Sequence, residues 1–520
     1  MSGQNWKNWF PHSEFRTHQE DTLCKIVDAF ERVPVVIVRA PCGSGKSPIA
    51  LAIARFYRKA YIATVEKSLQ DQIYKDFSAH LALLKGKNNY TCAKYRDDDG
   101  RKISCGEAPC GLNLPSKKDI SKECEGEGIC PYITARSEAI KCAPLTLMNY
   151  SNMLLFSLQG IPTREIAIYD EAHRLVEQLD KFAEIPFTPK VFQPAKRLLS
   201  ADEENLIENG FPDMAAVETF CKDLIPRIEK LLKRGPIGDK EEMEFVKLQS
   251  QVDKMNSLLQ HIYEELPFVI KKEARGSIIA PLFVYHVAPI AFRPGKRTLL
   301  MSATIPDAKK LASSLGITEY EFIDVPSTFP PENNPIIYIP VGSMSYTKQE
   351  ATMPLMVKYI DAILTKHKND KGIIQTYNYA IAEKLKKALG SNPRYLFHIR
   401  DSDKNHLLLE HFESKEPTVL IGPGFKEGVD LKDDLARFSI IAKMPCADMK
   451  DPIIATRKER DPESYDILTL TTLFQMLGRV IRSNKDHAVQ YILDTYFIFL
   501  YRKYKHMFPK EYRDAILISG

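Results

Sequence analysis

The sequence predicts an α/β protein built on two parallel-sheet lobes, the first of them interrupted by two insertions. Three observations carry this. At the start, apolar runs alternate with amphipathic helical stretches: VVIVRA, then PIALAIARFYRKA, then YIATV. A second series begins near residue 335, where IIYIP, GIIQTY, TVLIG, FSIIAK and AVQYIL are separated by helical segments such as YAIAEKLKKAL. Between the two series the pattern fails twice, over 86 to 145 and over 185 to 267. Strands joined by helical crossovers form parallel sheets, which are covered on both faces and therefore read as continuous apolar runs.

Taken in order, residues 1–85 begin the first lobe, and 86–145 form an insertion rich in Cys, Gly, Lys and Asp with little periodicity, as where a metal rather than a core sets the fold. Residues 146–184 return to the lobe, 185–267 read as long amphipathic helices, and 268–325 complete the lobe. The Pro-rich segment VPSTFPPENNP (325 to 335) is the linker, and 326–520 form the second lobe. With 520 residues, 44% of them hydrophobic, the chain buries several cores and is expected to hold three or four domains. The 72 Lys and Arg against 67 Asp and Glu leave a net charge of +5, too thinly spread to establish a polyanion partner, so a nucleic-acid groove has to be local. The start MSGQNWKNWF lacks the apolar stretch of a signal peptide and no run of about 18 apolar residues occurs, so an intracellular protein with no membrane partner is expected. No regulatory tail is expected after the last strand.

The first chemical motif is VVIVRAPCGSGKS, a strand, a Gly-rich turn and a helix start with P-loop spacing: Ala40, Pro41, Gly43, Ser44, Gly45, Lys46 and Ser47. Backbone amides there cradle phosphate at a helix N-terminus, Lys46 reaches the β- and γ-phosphates of ATP, and Ser47 ligates Mg²⁺. The strand EIAIY ends in Asp170, Glu171, Ala172 and His173, 124 residues after Lys46. Asp170 is expected to hold Mg²⁺ and Glu171 to polarise the attacking water, although acidic residues also favour helix starts in general. RTLLM ends in Ser302, Ala303 and Thr304, and FQMLGRVIRS supplies Gln475, Gly478, Arg479 and Arg482. On a helix, Arg479 and Arg482 share a face and reach the γ-phosphate from the opposite lobe; the plain alternative is a solvated face.

In this order the P-loop, DEAH, SAT and QxxGRxxR motifs resemble those of superfamily 2 helicases, and specifically the iron–sulphur helicases related to XPD and DinG, over nearly the whole chain. EGVDL (Glu427, Gly428, Val429, Asp430, Leu431) looks like their motif coupling the second lobe to nucleotide and nucleic acid. FRTHQ resembles their adenine-contacting segment and points to Gln19, with Arg16 nearby, where a surface glutamine is the alternative. Asn149 and Tyr150 resemble the family's strand end before the DEAH box.

The resemblance implies two RecA-like motor lobes, the first interrupted by an Fe–S cluster domain and an α-helical arch-like insertion. It also implies ATP-dependent unwinding of DNA by 5′ to 3′ translocation on a single strand, with single-stranded and forked DNA as partners. A nucleic-acid-stimulated ATPase that remodels complexes without unwinding is the alternative, as is a zinc-containing nucleic-acid-binding module. A packed helical cap is the alternative to the arch.

Five of the ten cysteines, Cys92, Cys105, Cys110, Cys124 and Cys130, fall within 39 residues, at intervals of 12, four, 13 and five. The absence of a C-x2-C knuckle favours a four-thiolate iron–sulphur cluster over zinc, which stays open as a second metal. GKNNYTC and CPYITAR resemble the family's first and last ligand sites. The gap before Cys130 resembles the DinG arrangement, giving Cys92, Cys110, Cys124 and Cys130 as ligands of a 4Fe-4S cluster; the XPD arrangement instead uses Cys105 and Cys110 and leaves Cys124 free. Lys85, Lys87, Lys94, Arg96, Arg101 and Lys102 surround the cluster's first half, either gripping phosphates or forming a solvated face.

Overall fold

A computed structural model describes residues 5–65, 67–96, 99–108, 130–236, 239–425, 431–481 and 486–518. The first sheet has seven parallel strands in the spatial order Tyr320–Asp324, Val35–Arg39, Gly295–Ser302, Arg164–Asp170, Ala60–Thr64, Leu145–Asn149 and Ala82–Leu84. Alternating side chains feed two cores. Val36, Val38 and Ile62 pack under the helices Gln19–Phe30 and Lys46–Tyr57, while Ile37, Tyr61 and Tyr169 face the other layer. The strands carrying the P-loop, SAT and DEAH segments are neighbours, so all three motifs emerge from adjacent carboxyl ends.

The second sheet also has seven parallel strands, ordered Tyr395–Phe397, Val419–Gly422, Gly372–Gln375, Phe438–Ile441, Val489–Asp494, Ile336–Gly342 and Ile516–Ile518. The Pro-rich segment runs between the edge strand of the first sheet and Ile336–Gly342 of the second.

The two departures from the pattern are built differently. Residues 185–187, 268–272 and 277–281 form a three-stranded antiparallel sheet beneath the helices Ala201–Asn209, Met214–Arg234 and Asp239–Tyr263. Ser200 and Glu203 close a capping box at the first helix, and Asp213 caps the second. Phe187, Phe192, Phe211 and Phe220 give this unit a core of its own.

The Cys-rich insertion has no separate core among the described residues: its hairpin Thr91–Arg96 with Lys102–Ser104, and its helix Pro131–Ser137, bury Cys92, Cys105, Cys130 and Tyr132 in the same cluster as the sheet's Tyr61 and Tyr169. Arg164, buried at the start of the DEAH strand, locks the insertion's exit to the sheet. It donates to the carbonyls of Ala60, Ala139, Ala143 and Pro144 and to the Thr146 hydroxyl, with its guanidinium 3.8 Å over the Tyr61 ring.

Candidate functional site: a nucleotide cleft between two lobes

The P-loop turns through two left-handed glycines, Gly43 (φ 77°) and Gly45 (φ 82°), before the helix starts at Lys46. Glycine suits position 45 because φ 82° is a left-handed conformation other residues rarely adopt, and any Cβ there would also press on the Gln19 side chain. Gln19 is buried, and its Nε2 donates to the Ser44 carbonyl at 2.9 Å while its Oε1 accepts from the Arg16 amide at 2.8 Å. Arg16 Nη1 donates to the Gly43 carbonyl at 2.8 Å. Both side chains thus hold the loop's carbonyls outward, which leaves its amides to face a phosphate. The Ala40 amide donates to the Ser302 carbonyl, and Ser44 Oγ to the Pro41 carbonyl.

Opposite the loop, Asp170 is 3% exposed. Burial pushes its carboxyl up to about 7, with Glu171 adding to the rise and Lys46 opposing it. A bound cation inverts that balance, because it favours the carboxylate. A hard oxygen donor, poor in other partners and beside a phosphate cradle, fits Mg²⁺. Glu171 adopts φ 60°, a left-handed conformation uncommon for glutamate and typical of strained functional positions. Its Oε1 stands 3.8 Å from Lys46 Nζ, so the proposed phosphate and water residues face one space. Tyr150, which resemblance had marked without a task, donates to the Asp170 carbonyl at 3.0 Å. Asn149 caps the helix that follows.

His173 joins three motifs. Its Nδ1 is 2.7 Å from Ser302 Oγ and 3.3 Å from Glu171 Oε2, and its Nε2 is 2.5 Å from Gln475 Nε2 in the second lobe. Thr304 donates its amide to Ser302 Oγ at 3.1 Å. Sequence reasoning quoted His173 within DEAH but gave it no role, since nothing local reveals a partner 302 positions away. Further out, Arg457 grips Asp180 with two hydrogen bonds and also donates to the Leu282 carbonyl; Lys310 pairs with Asp461 at 2.6 Å. Between these struts and His173 lies a cavity of about 380 Å³ lined by Val176, Thr304, Ile454 and Tyr465.

One expectation needs correcting. The helix carrying Gln475 ends at Leu477, so Arg479 follows it in a turn and the helical-face argument for Arg479 and Arg482 does not hold. Gly478 ends it there, packed so closely across the cleft that a Cβ would lie 3.1 Å from Cys42 Sγ of the P-loop. Arg482, Glu427, Gly428 and Asp430 lie outside the described residues.

The cysteines divide likewise. The hairpin register sets Thr91 opposite Ser104, bringing Cys92 and Cys105 to one end, and the Cys105 amide donates to the Tyr90 carbonyl. Tyr90 packs edge-on against Tyr132, which sits two residues into the helix capped by Cys130. Cys105 and Cys130 are buried in the same cluster, and burial together with the neighbouring thiols of Cys130 and Cys92 pushes Cys105 up to about 12. Cys110 and Cys124 lie outside the described residues, and among those described no group of three side chains has metal-binding geometry. Cys92, Cys105 and Cys130 are buried in one cluster, and thiolates are by chemistry donors that suit zinc and iron–sulphur centres. No described helix is long and apolar enough to cross a membrane.

Residues 364–515 match the family model described as a helicase C-terminal domain. The chain is 23% identical to a probable ATP-dependent helicase of Methanocaldococcus jannaschii, covering 94% of this chain and 93% of the relative. It is 22% identical to the ATP-dependent DNA helicase YoaA of Escherichia coli, over 92% and 91% of the two. Among solved structures, an XPD helicase superposes with TM-score 0.64 at 17% identity, covering 98% of this chain and all of that one, and Xpd4 of S. tokodaii with TM-score 0.60 at 16% identity, covering 97% and 100%. In motif order, in its helicase C-terminal domain and in this two-lobed fold, the chain is similar to the XPD/DinG-like superfamily 2 helicases.

Proposed function

We propose that the chain is an ATP-dependent DNA helicase that translocates on single-stranded DNA and opens forked duplexes. The observation that carries the reading is His173, which ties the DEAH and SAT segments of one lobe to Gln475 of the other, so that a change at the nucleotide is felt between lobes. Lys46 and the P-loop amides bind phosphate, Glu171 orients the attacking water and takes its proton, and Arg479, with Arg482, supplies positive charge from the second lobe. Asp170 and Ser47 would hold Mg²⁺, which would neutralise charge on the phosphates. Gln19 holds the P-loop in shape, and in the family it also contacts adenine. Glu427, Gly428 and Asp430 couple the second lobe to the strand. Closing and reopening of the cleft moves two backbone-gripping surfaces past each other. The polarity, 5′ to 3′, rests on resemblance.

For the metal we favour an iron–sulphur cluster on Cys92, Cys105 and Cys130 with Cys110 as the fourth ligand, the XPD-like set, because Cys105 packs against Cys130. This leaves Cys124 free. The DinG-like set of Cys92, Cys110, Cys124 and Cys130 makes Cys105 the spare instead. A cluster at this place would tie the hairpin to the helix Pro131–Ser137 and hold the insertion as a wedge against the strand. Unwinding by anaerobically purified protein on forks with 5′ or 3′ loading tails, measured beside ATP turnover, tests the proposal. Turnover without strand separation on either fork contradicts it.

A further inference from the structure

Five strands of the second sheet end in loops at one carboxyl edge, the edge at which parallel sheets present their ligand sites. Two of these loops, although their strands are separated by Val489–Asp494, are stapled together by that strand's last residue. Asp494, 3% exposed, accepts hydrogen bonds from the amides of Met344, Met444 and Tyr496 at 3.4, 2.9 and 3.1 Å. The first loop is further fixed where Thr352 Oγ1 donates to the Ser343 carbonyl, and where the amides of Lys348 and Gln349 both donate to the Ser345 carbonyl.

On this rigid base the Tyr346 ring stands 79% exposed, with Lys450 Nζ of the second loop 5.7 Å from its centroid and Met449 exposed beside Lys450. Burying no core and donating no recorded hydrogen bond, the ring has no structural task among the described contacts. Nearby acidic groups are already engaged: Asp448 Oδ1 accepts from the Lys450 amide, and Asp451 pairs with Lys271. At the same edge Tyr377 sits in a left-handed backbone, φ 65°, as functional positions often do.

We propose that Tyr346 is a base-stacking platform for single-stranded DNA on the second lobe, with Lys450 contacting the adjoining phosphate and Asp494 positioning both loops. The proposal rests on the reading of the chain as a single-strand translocase and adds a specific grip to it. A rigid aromatic ring beside a cation is the element by which sequence-tolerant proteins hold an unpaired strand, since every base offers a π-face. A step along the strand then needs only the ring to release one base and accept the next.

The test measures binding of a fluorescein-labelled oligothymidine by anisotropy, and the oligothymidine concentration giving half-maximal ATP turnover, for the parent, Tyr346→Ala and Tyr346→Phe. Tyr346→Ala is expected to weaken both about tenfold, Tyr346→Phe to restore them, and turnover without DNA to stay unchanged. On an oligonucleotide of abasic sites the parent and Tyr346→Ala should bind alike. Equal binding of oligothymidine by parent and Tyr346→Ala, or a loss that persists on abasic strands, overturns the platform. In the second case the ring serves the loop or a protein ligand instead. A parent that binds no single strand overturns the translocase reading itself, and this inference with it.

Discussion

The P-loop side of the nucleotide cleft and the Cys-rich insertion sit on the same lobe yet are specified in opposite ways. At the cleft, hydrogen bonds from well-separated parts of the chain hold several of the side chains: Gln19 and Arg16 on the P-loop carbonyls, Tyr150 behind Asp170, His173 between Ser302 and Gln475. These rest on a sheet whose strands are buried on both faces. In the insertion, a short hairpin and a short helix meet mainly through Tyr90, Tyr132 and three thiols, and those thiols belong to the lobe's own core. The first region is preorganised by packing; on the proposed reading, the second depends on the metal held by its cysteines. The motor should therefore tolerate damage to the insertion better than the insertion tolerates loss of one thiol.

The largest effect that would break this comparison is at Lys46. Lys46→Ala should reduce ATP turnover on the order of a thousandfold while circular dichroism and nucleotide-free melting stay near the parent, because the side chain serves phosphate rather than a core. Turnover at the parental rate would remove the site assignment.

Next is Cys130→Ser. Iron and acid-labile sulphide should be lost, and with them unwinding, while ATP turnover persists. Because Cys130 lies in the lobe's core, this variant should also melt earlier, by the roughly 1–3 kcal/mol that a buried, poorly partnered hydroxyl costs. Retention of a full complement of iron would contradict the thiolate reading.

Cys105→Ser and Cys124→Ser sharpen it further. With the XPD-like ligands, the first variant should match Cys130→Ser in iron content and the second should be nearly silent. The reverse pattern would restore the DinG-like set.

A smaller change is expected for Gln475→Ala, which removes one hydrogen bond across the cleft. DNA-stimulated turnover should fall roughly tenfold, the scale of one such bond to a charged or polarised partner, with DNA-free turnover falling less. Equal loss in both conditions would mean that Gln475 serves chemistry and not communication.

Much of the lobe architecture was legible because it is local. VVIVR, EIAIYD and RTLLMS are apolar runs long enough to read as buried strands, and each became one. The P-loop's glycines announce their turn. What stayed hidden depends on distant partners or on small margins. The strands at 185–187 and 277–281 are too short to show alternation and exist by pairing with each other. The end of the helix at Leu477 was missed because an apolar segment continues through Val480 and Ile481, and Gly478 was read as a motif letter rather than a stop. Resemblance left the choice between Cys105 and Cys124 open, and the hairpin register and the Tyr90 carbonyl that fix Cys105 beside Cys92 could not be read from spacing. The link from Arg457 to Asp180, 277 positions apart, left no sequence signal at all.

The most direct measurement is strand separation by anaerobically purified protein on paired forks, one with a 5′ and one with a 3′ single-stranded loading tail, with Lys46→Ala as the control. The account predicts a brown protein that opens the 5′-tailed fork only when ATP is hydrolysed, with Lys46→Ala inactive. Strand separation that Lys46→Ala performs equally, or ATP turnover indifferent to single-stranded DNA and accompanied by no unwinding of either fork, would contradict it.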